Sequence, residues 1–148
     1  MAGVTNRGKK LMLSSALAAS GTPSSFYVAL CTSADTPDAE TNVLSDLTEI
    51  ATGNGYTANG FALTRNTTDF DVNAEDDGSN YGYIQVKDVV WTGDGGNLPA
   101  TGDGARWAVL IDDSSNVWCY WDLSSDRTVS DTQTLTLQNC EVRLTEPA

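Results

Sequence analysis

The chain has 148 residues, of which 20 are acidic and 8 basic, giving a net charge of −12 at pH 7. This length and a hydrophobic content of 40% are typical of one globular domain with its own core, which excludes a disordered chain. The acidic balance argues against direct contact with nucleic acid or with an anionic membrane, and it suits a partner that presents positive charge.

The first predicted element is a helix from Thr5 to Ala19, with Thr5 or Asn6 as its N-cap. Ser20-Gly21, followed by Pro23, ends it. The apolar residues at the i, i+3, i+4 spacing of an amphipathic helix are Leu13, Ala16 and Leu17. The same stretch is a weak match to a secretory signal, but a core-like strand follows at once, so we expect no signal peptide.

The remainder of the chain is predicted to be mostly strand. A continuous apolar run at Phe26–Thr32 predicts a core strand that is covered on both faces. After a polar loop, Leu44–Ile50 predicts a short second helix capped by Ser45. Alternation of apolar and polar residues then predicts strands at 61–63, 70–72, 83–91, 107–111, 117–123 and 134–144.

These elements predict a mainly β fold. We expect an antiparallel β-sandwich, jelly-roll-like or Ig-like, with one N-terminal helix and a short second helix. We also expect a single domain over residues 1–148, in which residues 1–22 form an N-terminal arm and helix and residues 23–148 form the β-rich body.

The sequence contains no recognisable catalytic arrangement. Histidine is absent, which removes the usual general base at neutral pH and the usual nucleophilic triads. Asp122, between Trp121 and Leu123, is the acid closest to an apolar setting, but we expect it to face solvent or to pair with an arginine such as Arg127. We therefore predict no enzymatic activity and no cofactor.

Calcium is the strongest metal hypothesis. Asp69, Asp71 and Asn73 fit the first three ligand positions of an EF-hand loop, but Ala74 stands where glycine is needed and Asn80 where glutamate is needed. A strand with one acidic face explains the spacing better. We predict no metal site, while a loosely held surface ion stays open.

The three cysteines, Cys31, Cys119 and Cys140, each lie in an apolar stretch. We expect buried, reduced thiols in a protein made in the cytoplasm. A disulfide between Cys119 and Cys140 on neighbouring strands stays open as an alternative.

Two groups of residues are candidates for contact with a partner. Arg7, Lys9 and Lys10 place three of the eight basic residues within the first ten positions. In a later apolar strand, period-two alternation puts Trp118 and Tyr120 on one face and their neighbours on the other. Either Trp118 and Tyr120 form an exposed aromatic contact face or, as we favour, both faces of the strand are core.

Several segments occur together in the order found in one family. They are NRGK at 6–9, FYVAL at 26–30, LSDLTEI at 44–50, GNGY at 53–56, VVWT at 89–92, GDGARWAVL at 102–110, YWDL at 120–123, DRTV at 126–129 and TLTL at 134–137. The chain thereby resembles, over nearly its whole length, a family of small structural proteins of tailed bacteriophages. Members are labelled either as head decoration (cement) proteins or as tail-fibre proteins.

The resemblance implies a non-enzymatic virion protein, assembled in the host bacterial cytoplasm, that binds the major capsid protein on the outer surface of the head. It implies a homo-oligomer, with a trimer favoured, that clamps neighbouring capsomers. We expect the acidic body to face solvent and Arg7, Lys9 and Lys10 to contact the shell. The alternative is a tail or tail-fibre component involved in host adhesion. A secreted hydrolase or sugar-binding domain is a third hypothesis, which the missing histidine disfavours.

Overall fold

The computed structural model describes residues 2–18 and 22–145 and has a mainly β fold, as the sequence predicts. The strands are β1 (Ala2–Val4), β2 (Ser25–Cys31), β3 (Phe61–Thr64), β4 (Val72–Asp76), β5 (Tyr81–Val86), β6 (Val89–Thr92), β7 (Ala105–Asp112), β8 (Val117–Arg127), β9 (Thr134–Leu137) and β10 (Cys140–Thr145). Helix α1 spans Asn6–Leu17, and a 3-10 turn spans Leu44–Asp46. The predicted helix end at Ala19 and the turn at Ser20-Gly21 lie outside the described residues. In the part of the chain that the structure describes, no helix is long and apolar enough to cross a membrane.

The strands pair antiparallel in three sheets, with the orders β1-β8-β7-β2-β3, β10-β5-β4 and β6-β9. The N-terminal segment belongs to this framework, because β1 pairs with β8 and Gly3 lies opposite Tyr120. The segment is therefore held against the β-rich body and is not a free arm.

The five-stranded sheet is covered on both faces, which explains the continuous apolar run in β2. Phe26, Val28 and Leu30 point into the larger apolar cluster, and the alternate residues Ala29 and Cys31 point into a second one. The loop that follows β2 covers this second face with buried leucines of the 3-10 turn region. Because a side chain in a strand alternates faces, a strand buried on both sides must be apolar throughout.

Helix α1 is fixed to β8 by close contact at its first turn. The Oγ1 atom of Thr5, the N-cap, accepts a hydrogen bond from the amide of Gly8 at 2.9 Å and donates one to the carbonyl of Val117 at 2.6 Å. A Cβ atom on Gly8 would lie 2.2 Å from the carbonyl oxygen of Trp118. Only glycine allows the helix to lie this close to the strand.

The predicted second helix is limited to the 3-10 turn, and Ser45 does not cap it. The residue before the turn, Val43, is the N-cap, and Asp46 Oδ2 accepts hydrogen bonds from the amides of Asn42 and Val43 at 2.9 and 3.1 Å. The helix cannot continue because the next residues run extended beside β2, where the amide of Ile50 donates to the carbonyl of Leu30.

Two of the predicted long strands are each divided between two sheets. The stretch predicted at 83–91 is split into β5 and β6, because the amide of Lys87 leaves the ladder and donates to the carbonyl of Asp69 at 3.0 Å. The stretch predicted at 134–144 is split into β9 and β10, where Asn139 has a φ of +54°. The two breaks lie opposite each other, since β5 pairs with β10 and β6 pairs with β9.

Candidate partner-binding surface

The aromatic residues proposed as a contact face are buried. Trp118 is 6% exposed and Tyr120 is 7% exposed, and they pack in different apolar clusters. Leu110 pairs with Cys119 and Ile111 with Val117, so Trp118 is the extra residue of a β-bulge. The bulge turns Trp118 to the face opposite Tyr120. The expectation that the two share a face was therefore wrong, and they form no exposed aromatic surface.

The bulge is fixed by a buried carboxylate at the β7–β8 turn. Asp112 is 4% exposed, and its Oδ2 atom accepts a hydrogen bond from Trp118 Nε1 at 3.0 Å. Its Oδ1 atom accepts from the amides of Ser114 and Asn116, both at 2.9 Å. These donors satisfy a carboxylate that would otherwise be costly to bury.

Arg7, predicted to contact a shell, is tied to the same turn. Its Nε atom donates to Asn116 Oδ1 at 2.9 Å, and the Nδ2 atom of Asn116 donates to both oxygens of Asp112 at 2.9 and 3.1 Å. Arg7 thus joins α1 to the buried carboxylate, and this bond gives it a role within the chain. Lys9 and Lys10 are exposed on the helix.

Asp122, the acid closest to an apolar setting in the sequence, forms an ion pair. Its carboxylate pairs with an arginine, as the sequence predicts; the partner is Arg106, whose guanidinium lies 3.0 Å away, and not the Arg127 named as an example. Hydrogen bonding from the amide of Ser124, with the charge of Arg106, lowers its pKa below the ordinary aspartate value. The guanidinium of Arg127 instead donates to the carbonyl of Leu123 at 2.9 Å. Asp122 is therefore ionised near neutral pH, as an ordinary aspartate also is.

Asp69, the first of the proposed calcium ligands, forms an ion pair with Lys87 within the chain. Asp69 is buried, with Oδ1 accepting from Lys87 Nζ at 2.6 Å and Oδ2 accepting from the amide of Thr64 at 2.6 Å. These bonds lower the pKa of Asp69. Asp71 and Asn73 are exposed. Among the described residues, no group of three or more histidine, cysteine, aspartate or glutamate side chains could hold a metal ion.

The three cysteines are free and buried, as the sequence predicts, and Cys119 and Cys140 form no disulfide. Burial raises the pKa of the Cys31 and Cys140 thiols to about 12 and raises that of Cys119 well above its usual value. Thiols with such a high pKa remain protonated and are poor nucleophiles.

One face of helix α1, which we call the α1 face, is exposed and combines basic with apolar side chains. It consists of Lys9, Lys10, Leu13, Ala16 and Leu17. Leu13 is 61% exposed and Leu17 is 82% exposed. The helix packs on the body through its other side, where Leu11 and Met12 contact the larger cluster. The apolar spacing seen in the sequence therefore marks the solvent side of the helix and not its packed side.

An apolar groove of about 700 Å³ opens beside α1, between the five-stranded and the three-stranded sheet. We call it the sheet groove; its apolar lining includes Met12, Phe26, Phe70, Ile84, Trp118 and Leu144. Leu144, 51% exposed, lies at its edge. Glu75 of the edge strand β4 also lines the groove, together with Asn73 and Arg65, whose guanidinium points back to the carbonyl of Pro23 at 3.5 Å.

Sequence reasoning found the lysines of the α1 face but missed its leucines as exposed residues and missed the groove. A signal for the helix was present: Gly8, Leu11, Met12 and Ser15 also follow the i, i+3, i+4, i+7 spacing of one face. Gly8 marks that face as the packed one, because a glycine in a helix permits close approach of a neighbouring backbone. The groove is assembled from α1, from strands β2, β4, β5, β7, β8 and β10, and from the segment between β3 and β4, and no local pattern predicts it.

Comparison of the chain with models of protein families, with curated proteins and with solved structures found no match.

Proposed function

We propose that this chain is a capsid decoration protein of a tailed bacteriophage. In this role it is a non-enzymatic subunit of the virion that binds the outer surface of the head and stabilises contacts between capsomers. The observation that carries the proposal is the α1 face, where exposed lysines and leucines stand on an otherwise acidic domain. A surface of this composition suits contact with another protein. The resemblance to tailed-phage structural proteins supplies the setting.

A decoration protein needs no chemistry to stabilise a shell. A ligand that binds only the assembled state lowers the free energy of that state by mass action. Many copies on a repeating surface also act together, since neighbouring contacts convert separate binding events into a multivalent one. A strongly acidic body, directed outward, keeps coated particles apart through electrostatic repulsion.

The rigid attachment of the α1 face supports an interaction role. Thr5 donates to the carbonyl of Val117, Arg7 donates to Asn116, and Gly8 lies against the Trp118 carbonyl, so the helix is oriented before any partner arrives. Preorganisation of this kind reduces the entropy lost on binding. We also propose that the antiparallel sheets form a β-sandwich, jelly-roll-like or Ig-like, with this helix packed beside it.

The experiment that tests the proposal mixes the purified chain with phage heads that lack it and, separately, with purified tails. After gradient sedimentation, we expect saturable co-migration with heads and more coated than bare heads surviving heat or chelator treatment. Saturable binding to tails with none to heads would contradict the proposal. Deletion of residues 1–10 is not a useful test of the contact, because it also removes β1 and Thr5.

The tail-fibre alternative follows from the second label carried by the family that the chain resembles. Trp118 and Tyr120 are buried, so these two aromatic residues supply no adhesion surface for it. Binding to tails in the same gradient is the result that would favour it.

A further inference from the structure

The sheet groove is an open cleft at which part of the larger apolar cluster reaches the surface. Side chains that continue this cluster line the groove, including Phe70 and Ile84, which are only partly buried. Removal of such apolar surface from water is favourable. A groove of about 700 Å³ lined mainly by such side chains therefore offers a site for apolar groups from outside the chain.

The chain also presents apolar groups of the matching kind. Among the described residues, the large apolar side chains that are exposed are Leu13, Leu17, Val90 and Leu144. Leu13 and Leu17 are one turn apart on the α1 face, and Leu144 is at the edge of the groove. The α1 face cannot fill the groove of its own chain, because Met12 on the other side of the same helix already lines it.

The groove carries charge of both signs, and its acidic member suits the lysines of the α1 face. Lys9 and Lys10 stand at the N-terminal end of that face. Arg65 lines the groove with its guanidinium turned to the carbonyl of Pro23 at 3.5 Å, and Glu75 lines the groove on strand β4. Asp76 and Asp77 follow Glu75 in the chain. Two copies that each have a net charge of −12 repel one another, and the approach of the lysines to this acidic strand opposes that repulsion.

We propose that the α1 face of one copy of this chain occupies the sheet groove of a second copy. Leu13 and Leu17 enter the groove, and Lys9 and Lys10 lie against the acidic β4 strand. Two different surfaces meet, so the contact is heterologous, and repetition of it closes a ring if the rotation between copies allows. The inference rests on the proposed function and deepens it, since contacts between copies through the α1 face join decoration subunits on the head into one multivalent layer.

Sedimentation velocity over a concentration series tests the inference. We expect the unmodified chain to associate. The double variant Leu13→Asp/Leu17→Asp should have a dissociation constant at least tenfold higher, because burial of each leucine lowers that constant by about tenfold or more. Val90→Asp is the matched control, since Val90 is exposed but lies outside both surfaces. Circular dichroism confirms that the variants fold.

Reversal of the charges on the two surfaces tests independently whether the lysines of the α1 face lie against Glu75. We expect Lys9→Glu/Lys10→Glu to weaken association and Glu75→Lys, added to that variant, to restore part of it. Leu144→Asp, at the groove edge, should weaken association as the leucine variants do. A chain that stays monomeric throughout the series, or Leu13 and Leu17 variants that associate like the unmodified chain, would overturn the inference.

The two proposals fail separately. A monomeric chain that still coats heads overturns this inference and leaves the decoration role standing. An oligomer sensitive to the α1 and groove variants that binds no heads supports the inference and contradicts the decoration role. If the lysine variant loses head binding without any change in association, the α1 face contacts the shell and the inference is wrong.

Discussion

The indole Nε1 atom of Trp118 donates a 3.0 Å hydrogen bond to the buried carboxylate of Asp112, six residues earlier in the chain. The bond spans the β7–β8 turn and holds the bulged Trp118 against Phe26, whose ring lies edge-on at 5.1 Å between centroids. Through Asn116 the same carboxylate is linked to Arg7 of α1. One aspartate therefore joins the turn, the bulge and the helix on which the α1 face stands.

Replacement of this carboxylate should be costly. In Asp112→Asn, one side of the new amide is a donor, so it cannot accept from both Trp118 and the turn amides. We expect a loss of about 1–3 kcal/mol in the free energy of unfolding, the cost of leaving a buried polar group unsatisfied. Urea denaturation followed by tryptophan fluorescence measures it. Asp103→Asn, in an exposed loop, is the control, and equal stability of the two variants would show that the Asp112 network is not needed.

The contact between Gly8 and β8 predicts a destabilising glycine-to-alanine substitution. In a helix that is free of the body, Gly8→Ala should stabilise by up to about 1 kcal/mol through helix propensity. Here the new Cβ meets the Trp118 carbonyl at 2.2 Å, and we expect a net loss of about 1–2 kcal/mol. Gly82→Ala is the control, because a Cβ atom added there would lie 4.0 Å from the carbonyl oxygen of Ala74, an ordinary contact distance. A gain in stability for Gly8→Ala would mean that α1 does not dock as described.

The ion pair between Asp69 and Lys87 predicts a pH dependence of stability. The pKa of Asp69 is lower in the folded chain than in the unfolded one. Ionised Asp69 therefore contributes its full stability at pH values above the ordinary aspartate pKa of about 3.9. This contribution is lost as the pH falls through the pKa of Asp69 in the folded chain. Lys87→Met should cost about 1 kcal/mol at neutral pH, since Lys87 is partly exposed. It should also reduce the loss of stability on acidification. Thermal unfolding of both proteins between neutral pH and pH 3 tests this, and parallel curves would contradict it.

The buried thiols predict very slow reaction with a disulfide reagent. At pH 8 the native chain should show almost no thiol reacting with Ellman's reagent, because burial keeps Cys31, Cys119 and Cys140 protonated and inaccessible. After denaturation in guanidinium, all three should react. Reaction of Cys31 alone in the denatured chain would show that Cys119 and Cys140 are joined.

Local patterns in the sequence predict the parts of this fold that depend on local physics. The apolar run of β2 indicates a strand with both faces covered, and Thr5 is a good N-cap because its hydroxyl can accept from an amide three residues on. The buried, free state of the three cysteines likewise follows from the apolar stretches in which they lie.

The features that sequence reasoning missed depend on contacts between distant segments. A single bulged residue, fixed by Asp112, reverses the facing of Trp118 relative to Tyr120. The packed side of α1 is chosen by Gly8 and the β8 backbone, which lie 110 residues apart in the chain. The break between β5 and β6 lies opposite the break between β9 and β10, because the two paired segments pass from one sheet to the other together. The periodicity of a single strand does not show where such a change of sheet occurs.

The measurement that tests the central claim most directly is antibody-gold labelling of intact virions, viewed in the electron microscope. The decoration role predicts label spread over the surface of the heads, at a density that reflects many copies per particle. Label confined to tails or fibres, with bare heads, would contradict it.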